Sequence, residues 1–133
     1  MMTIRKSFVA VIGSGQVGAT AAQRILEKGI SDVVLFDVVE GMPQGKALDL
    51  MEAAPIEGHD RRIVGTNRYE DIAGAEIVVV TAGLPRKPGM TREDLLALNA
   101  KIITDVCGNI KKFASESKII IVTNPLDVMT HLA

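Results

Sequence analysis

Three closely spaced glycines, Gly13, Gly15 and Gly18, follow a run of apolar residues in the segment VAVIGSGQVGAT. Glycine loses more conformational entropy on folding than other residues, so this cluster indicates a backbone that must approach something closely. In the G-x-G-x-x-G pattern, the first glycine permits a tight turn, the second admits a pyrophosphate, and the third allows close helix packing. The free amides of the helix start, from Gln16 onward, would then face the anion. The alternative is a strand–helix turn that binds nothing.

An acidic residue, Asp37, lies 19 residues after Gly18, at the end of a second apolar run. Dinucleotide-binding folds carry an acid about 20 residues beyond the glycines, where it accepts hydrogen bonds from the adenosine ribose hydroxyls. A carboxylate there repels a 2′-phosphate, and Val38 and Val39 follow without an arginine to receive one. The pair of features therefore favours NAD over NADP. A polar strand end without a ligand is the alternative for Asp37.

A basic segment, TAGLPRKPGMTR at 81–92, carries Arg86, Lys87 and Arg92 and no acid. The planar guanidinium fork of arginine matches a carboxylate with two hydrogen bonds. Two arginines on one closing loop could hold a small dicarboxylate while excluding water. The alternative is a solvated basic turn.

Two asparagines are further candidates for the same site. Asn124, in VTNPLD at 122–127, lies at the end of an apolar run, and its amide could bond a substrate oxygen or the nicotinamide. An Asx-type turn before Pro125 is the alternative. Asn99 could face the same cleft from a long helix, although by itself it is typical of a surface position.

The elements that must position these residues alternate along the chain. Continuous apolar runs are typical of strands buried on both faces, and apolar residues at helical spacing separate them. This alternation predicts an α/β fold with a doubly wound parallel sheet. Ligand-binding loops then meet outside the carboxyl ends of the strands. The predicted strands are 8–12, 33–37, 62–66, 76–83 and 118–125, and the predicted helices are 16–28, 42–55, 93–115 and 126–133.

Several helix boundaries and faces follow from local signals. Gly29 is expected as a C-cap, Thr91 as the N-cap of the long helix, and Pro55 as the end of the helix that Pro43 opens. One face of the long helix is expected to be apolar, with Leu95, Leu98, Ile102, Val106, Ile110 and Phe113.

Composition excludes several function classes. The chain has 133 residues, a net charge of −1 and 3% aromatic residues, which argues against nucleic-acid or membrane surfaces. No run of apolar residues is long enough to span a membrane. The single cysteine, Cys107, cannot form an internal disulfide and favours a reducing, cytoplasmic location. We interpret Cys107 as a buried small residue, His59 and His131 as structural or exposed, and we expect no metal site.

The combination of GSGQVG (13–18), DVVEGMPQGKALDL (37–50), TAGLPRKPGMTR (81–92) and VTNPLD (122–127) resembles malate dehydrogenases of the lactate-dehydrogenase-like type. The resemblance covers essentially the whole chain and the amino-terminal half of such enzymes. It implies a Rossmann-type sheet with strand order 3-2-1-4-5-6, incomplete here at about five strands. Residues 1–133 would form the NAD-binding domain, with the sixth strand and the carboxy-terminal catalytic domain absent.

The resemblance also implies roles for individual residues. Arg86 and Arg92 would bind the two carboxylates of malate or oxaloacetate, and Asn124 would touch both substrate and cofactor. Lactate dehydrogenases usually carry glutamine at the position that matches Arg86. The residues implied to bind NAD are Gly13, Ser14, Gly15, Gln16, Val17, Gly18, Asp37, Asn99, Val122, Thr123 and Asn124.

The implied reaction is the reversible oxidation of (S)-malate to oxaloacetate by hydride transfer to NAD. The histidine that accepts the hydroxyl proton, its aspartate and a third substrate arginine have no matching segment here, so we expect this chain alone to be inactive. The stop within DVMTHLA favours a fragment. Two alternatives are a nucleotide-binding module without turnover and a lactate dehydrogenase fragment. A homo-oligomer is expected through helix 43–54, with the fifth-strand edge as a second contact.

Overall fold

The computed structural model describes Ile4 and residues 7–133. In that part of the chain, strands and helices alternate as the sequence predicts, and a short 3₁₀ turn at Tyr69–Ile72 follows the third strand. The strands are β1 Phe8–Ile12, β2 Asp32–Phe36, β3 Ile63–Thr66, β4 Ile77–Val80 and β5 Lys118–Ile121. The helices are α1 Gln16–Glu27, α2 Met42–Glu57, α3 Arg92–Phe113 and α4 Leu126–Leu132.

The strands form one parallel sheet in the order β3-β2-β1-β4-β5. The central strand β1 pairs with β2 from Phe8 opposite Asp32 to Ile12 opposite Phe36. Every residue of β1 and β2 is buried, and all are apolar except Asp32, the first residue of β2, whose Oδ1 accepts from the Arg62 N–H over 3.1 Å. The doubly wound α/β architecture and the order of these five strands are confirmed.

Two apolar cores lie on opposite faces of the sheet. Val9 and Val11 of β1 pack on the side of α1 and α2, where Ala22 and Leu26 are buried. Ala10 and its alternate neighbours pack on the other side, under α3 and α4. Successive strand residues point to opposite faces, so a strand inside a two-sided sheet is apolar on both faces along most of its length.

Three strands end earlier than predicted. β2 ends at Phe36, before Asp37, and β4 and β5 end at Val80 and Ile121 rather than at 83 and 125. The last pairing bonds run from the Thr81 N–H to the Ile12 carbonyl and from the Val122 N–H to the Val80 carbonyl. Beyond them the chain leaves the sheet and forms the loops of the site.

Helix α2 corrects the expectation for Pro55, which lies inside the helix rather than at its end. Proline forfeits its own backbone hydrogen bond but does not prevent later residues from forming theirs. The helix continues to Glu57, and Gly58 ends it at φ +73°, with its N–H donating to the Ala54 carbonyl over 2.9 Å. Gly29 similarly follows the C-cap, Lys28, rather than forming it.

Helix α3 begins as predicted, and its predicted face packs on the core at Ile102, Val106, Ile110 and Phe113 but not at Leu98. Thr91 caps it in a capping box with Asp94, each side chain bonding the backbone N–H of the other. Val106 is buried as expected, whereas Leu98 is 37% exposed and its neighbour Asn99 only 2% exposed. The prediction for Leu98 was wrong because the polar Asn99 finds hydrogen-bond partners inside, which an apolar pattern cannot reveal.

Other residues behave in ordinary ways. Cys107 is half-buried, and burial raises the pKa of its thiol, in keeping with a packing role. His131 is exposed and His59 is partly buried. Within residues 7–133 and at Ile4, no helix has the length and apolar character needed to cross a membrane.

Gly65 of β3 supports a stability prediction, because a Cβ there would overlap the Pro43 backbone at the start of α2. We expect Gly65→Ala to lower the free energy of unfolding by about 1–3 kcal/mol, since neither backbone segment can move freely. Gly108→Ala is the matched control: it lies within α3 with open space around it, so it should stabilise by up to about 1 kcal/mol. Urea denaturation of both variants measures the difference. Equal effects would contradict the predicted close contact.

Candidate functional site

The turn after β1 is built from glycines that cannot be replaced. Gly13 adopts φ +103°, and its N–H donates to the Phe36 carbonyl over 2.8 Å. A Cβ on Gly18 would collide with the Gly13 carbonyl oxygen, so the start of α1 lies directly on the turn. The Thr81 hydroxyl, from the end of β4, donates toward the Gly13 carbonyl at 3.2 Å and the Ile12 carbonyl at 3.1 Å. The turn is thus fixed from three sides.

The start of α1 suits an anion. Gly15 is the N-cap and no side chain caps the helix, so its first N–H groups have no side-chain partner. A Cβ built on Gly15 would meet nothing within 4 Å, so this glycine borders open space. Gln16 and Val17 are exposed at the same place. Helix N-termini of this kind bind phosphate groups through backbone N–H groups and the helix dipole.

Asp37 lies beside this turn, as the sequence predicts. One carboxylate oxygen, Oδ2, accepts from the Ser14 N–H at 2.7 Å and the Ser14 hydroxyl at 2.9 Å, and Oδ1 accepts from the Val39 N–H at 3.0 Å. Burial raises the pKa of Asp37, but these hydrogen bonds outweigh it and hold the pKa below its ordinary value. The group is therefore a carboxylate at neutral pH, suited to accepting ribose hydroxyls.

Asn67, just after β3, holds the segment that carries Asp37. Its Nδ2 donates to the Asp37 carbonyl at 2.7 Å and the Val39 carbonyl at 3.0 Å, while its Oδ1 accepts from Gln44 at 2.6 Å. Sequence reasoning missed this residue. An asparagine directly after an apolar strand, at the carboxyl edge of the sheet, is the signal that could have indicated it.

The loops after β4 and β5 touch each other on the opposite side of the β1 turn. Thr123 is buried, and its hydroxyl donates to the Ala82 carbonyl over 2.6 Å. A Cβ on Gly83 would come within 2.6 Å of the Thr123 methyl group, so the two loops pack as closely as glycine allows. Thr81 and Gly83 are further residues that sequence reasoning did not single out.

Asn99 of α3 joins these two loops. Its Oδ1 accepts from the Leu84 N–H at 2.8 Å, and its Nδ2 donates to the Leu84 carbonyl at 3.3 Å and the Asn124 carbonyl at 2.8 Å. Asn99 is therefore buried between the two loops rather than on the surface. Its contact with a cofactor, which the resemblance implies, stays a prediction, as do those of Val122, Thr123 and Asn124.

Arg86 lies on the basic loop, and Arg92 directly follows that loop. Arg86 is exposed, and its Nε donates to the Met90 carbonyl over 3.2 Å, across the loop. Arg92 is the exposed first residue of α3, and the Asn124 side chain is also exposed. The structure thus gathers the loops as predicted, and the substrate contacts of these three side chains stay predictions.

A groove of about 730 Å³ lies between α3 and α4, with His131 and Leu96 among its lining residues. Among the described residues, no group of three or more His, Cys, Asp or Glu side chains could hold a metal ion.

Comparison with known proteins identifies the family. Residues 7–133 match the family described as lactate/malate dehydrogenase, NAD binding domain. The malate dehydrogenase of Trichormus variabilis is 60% identical over 125 residues, which cover 94% of this chain and 39% of that protein. The corresponding enzyme of Methanosarcina mazei is 58% identical over 94% of this chain and 41% of its own length. The chain thus spans about two fifths of the length of these relatives.

Solved structures agree. Malate dehydrogenase from Picrophilus torridus, in its apo form, superposes with a TM-score of 0.91 at 46% identity, over 95% of this chain and 41% of that one. Lactate dehydrogenase from Cryptosporidium parvum, complexed with lactic acid and NAD, gives 0.88 at 42% identity, over 99% and 41%. The glycine turn and the ionised Asp37 are consistent with these matches. The chain belongs to the lactate/malate dehydrogenase family and is its NAD-binding domain.

Proposed function

We propose that this domain is the cofactor-binding half of a malate dehydrogenase, which interconverts (S)-malate and oxaloacetate with NAD. The basic segment 81–92 carries the proposal, because it supplies two arginines, Arg86 and Arg92, and its base at Leu84 is joined through Asn99 to the Asn124 carbonyl. Malate has two carboxylates and lactate has one, so a second arginine on this loop favours the dicarboxylate. The fold does not decide between them, since lactate dehydrogenases superpose nearly as well.

The residues of this chain would divide the work by position. The backbone of Gly13–Gly18 would bind the pyrophosphate and Asp37 the adenosine ribose, while Asn124 would orient the substrate near the nicotinamide. Bound NAD would accept the hydride from C2 of malate. The hydroxyl proton requires a general base, which we assign, with its aspartate, to a part of the longer protein beyond residues 1–133. Residues 1–133 alone would then bind NAD without oxidising malate.

We also infer a homo-oligomer located in the cytoplasm. Leu48 and Ile56 of α2 are 62% and 88% exposed, and Ile120 on the free edge of β5 is 50% exposed. Exposed apolar side chains on one helix support association with a second copy. The single cysteine supports a reducing compartment.

Cofactor choice is tested by Asp37→Ala. The variant should weaken NADH binding about ten- to a hundredfold, because it removes a charged acceptor for the ribose hydroxyls. NADPH binding should weaken less or improve, since the repulsion of the 2′-phosphate is removed. Fluorescence titration of both nucleotides measures this, with Asp105→Ala, an exposed acid on α3, as the control. Unchanged affinity for both nucleotides would show that Asp37 is not the ribose ligand.

Substrate choice is tested by Arg86→Gln in the full-length protein. We expect kcat/KM for oxaloacetate to fall at least about a hundredfold, because one carboxylate would be left unpaired in a closed site. The value for pyruvate should change far less. Lys87→Gln, next to it on the same loop, is the matched control and should alter neither value more than about threefold. If oxaloacetate reduction survives in Arg86→Gln, that arginine does not select the dicarboxylate.

Association is tested by light scattering over a dilution series. The unmodified protein should remain at least dimeric at micromolar concentration, and Leu48→Glu should shift it toward monomer by placing a charge in the interface. Ile30→Glu, at a position 63% exposed in the turn before β2, is the control and should leave the mass unchanged. A stable monomer of unmodified protein would refute the inferred oligomer.

A further inference from the structure

Asn99 is a polar residue in a place where the helix otherwise buries apolar side chains. It is 2% exposed, while Ile103 and Val106 on the same face of α3 are 0% and 3% exposed. A buried amide lowers stability unless its donors and acceptor are paired, so its partners decide why it is there.

All three partners are backbone groups of loops rather than of α3 itself. The Leu84 N–H donates to Oδ1 at 2.8 Å, and Nδ2 donates to the Leu84 carbonyl at 3.3 Å and to the Asn124 carbonyl at 2.8 Å. An amide nitrogen has two hydrogens, and each already has an acceptor. The donors of Asn99 are therefore occupied by the protein.

These bonds fall at informative places in the two loops. Leu84 lies two residues before Arg86, at the base of the basic loop, and Asn124 is itself a proposed substrate ligand. Between them, Gly83 approaches Thr123 so closely that a Cβ would come within 2.6 Å of its methyl group. One buried amide thus spans the junction of the loop that carries Arg86 and the loop that carries Asn124.

We propose that Asn99 is a positioning residue: it sets the placement of the Arg86 loop relative to Asn124 and thereby acts on the substrate. This role differs from the direct cofactor contact that the family resemblance implies. It rests on the proposed function, because Arg86 and Asn124 matter here as ligands of a 2-oxo acid.

The test is Asn99→Asp in the full-length enzyme. A carboxylate still accepts from the Leu84 N–H, but its second oxygen would face the Leu84 and Asn124 carbonyls and repel them. We expect KM for oxaloacetate to rise about tenfold or more, with the NADH dissociation constant changed less than about threefold. Asn109→Asp is the matched control, since Asn109 lies on the same helix and its Nδ2 bonds the Asp105 carbonyl of α3 at 2.9 Å. It should leave KM and kcat within about twofold.

Gly83→Ala tests the same junction without replacing Asn99. If Asn99→Asp fails to fold, this variant shows whether the junction of the two loops affects KM. Its added methyl group should displace the Thr123 side chain and raise KM in the same way. NADH binding weakened as much as KM is raised would make Asn99 a cofactor ligand and overturn the proposal, as would an unchanged KM in a folded variant. If the unmodified enzyme does not reduce oxaloacetate, the proposed substrate is wrong, but the role of Asn99 is still open to test. KM for the 2-oxo acid that the enzyme does reduce is then compared between the unmodified enzyme and Asn99→Asp.

Discussion

Parallel pairing on both edges of β1 is the constraint on which the cofactor site depends. The Gly13 N–H bonds the Phe36 carbonyl over 2.8 Å on one side, and the Thr81 N–H bonds the Ile12 carbonyl over 2.8 Å on the other. Because all strands run the same way, the chain leaves β2, β1 and β4 at one edge of the sheet. Strand pairing alone therefore brings Asp37 next to Ser14 and Thr81 next to the Gly13 carbonyl.

This constraint explains how far the fold could be predicted from sequence. β1 and β2 are recognisable because a strand buried on both faces must be apolar throughout. The ends of strands are harder to predict from sequence. Thr81 and Val122 suit a strand as well as a loop, and the partner strand determines where pairing stops. Pro55 shows the same limit, because a proline removes one hydrogen bond and the next two residues still complete the helix.

The candidate site divides in the same way. Gly13, Gly18 and Asp37 follow a local pattern, since the turn, the helix start and the second strand each impose their own residue type. The roles of Asn67 and Asn99 depend on backbone groups that lie 15 to 30 positions away in the chain, which no local pattern identifies. Apolar periodicity predicts that Leu98 lies on the buried face of α3. It cannot predict that the neighbouring Asn99 is buried instead, because its hydrogen-bond partners belong to distant loops.

The two halves of the cleft are consequently held by different means. The cofactor half rests on strand ends and on glycines packed against backbone, where a single methyl group cannot be accommodated. The half that carries Arg86 rests on loops, which are joined by the Thr123 hydroxyl and the Asn99 amide. Hydrogen bonds between loops can break and re-form at lower cost than a packed sheet edge. The Arg86 loop is thus held at its base by hydrogen bonds between loops, including those of Asn99, whereas the glycine turn is held by close backbone packing.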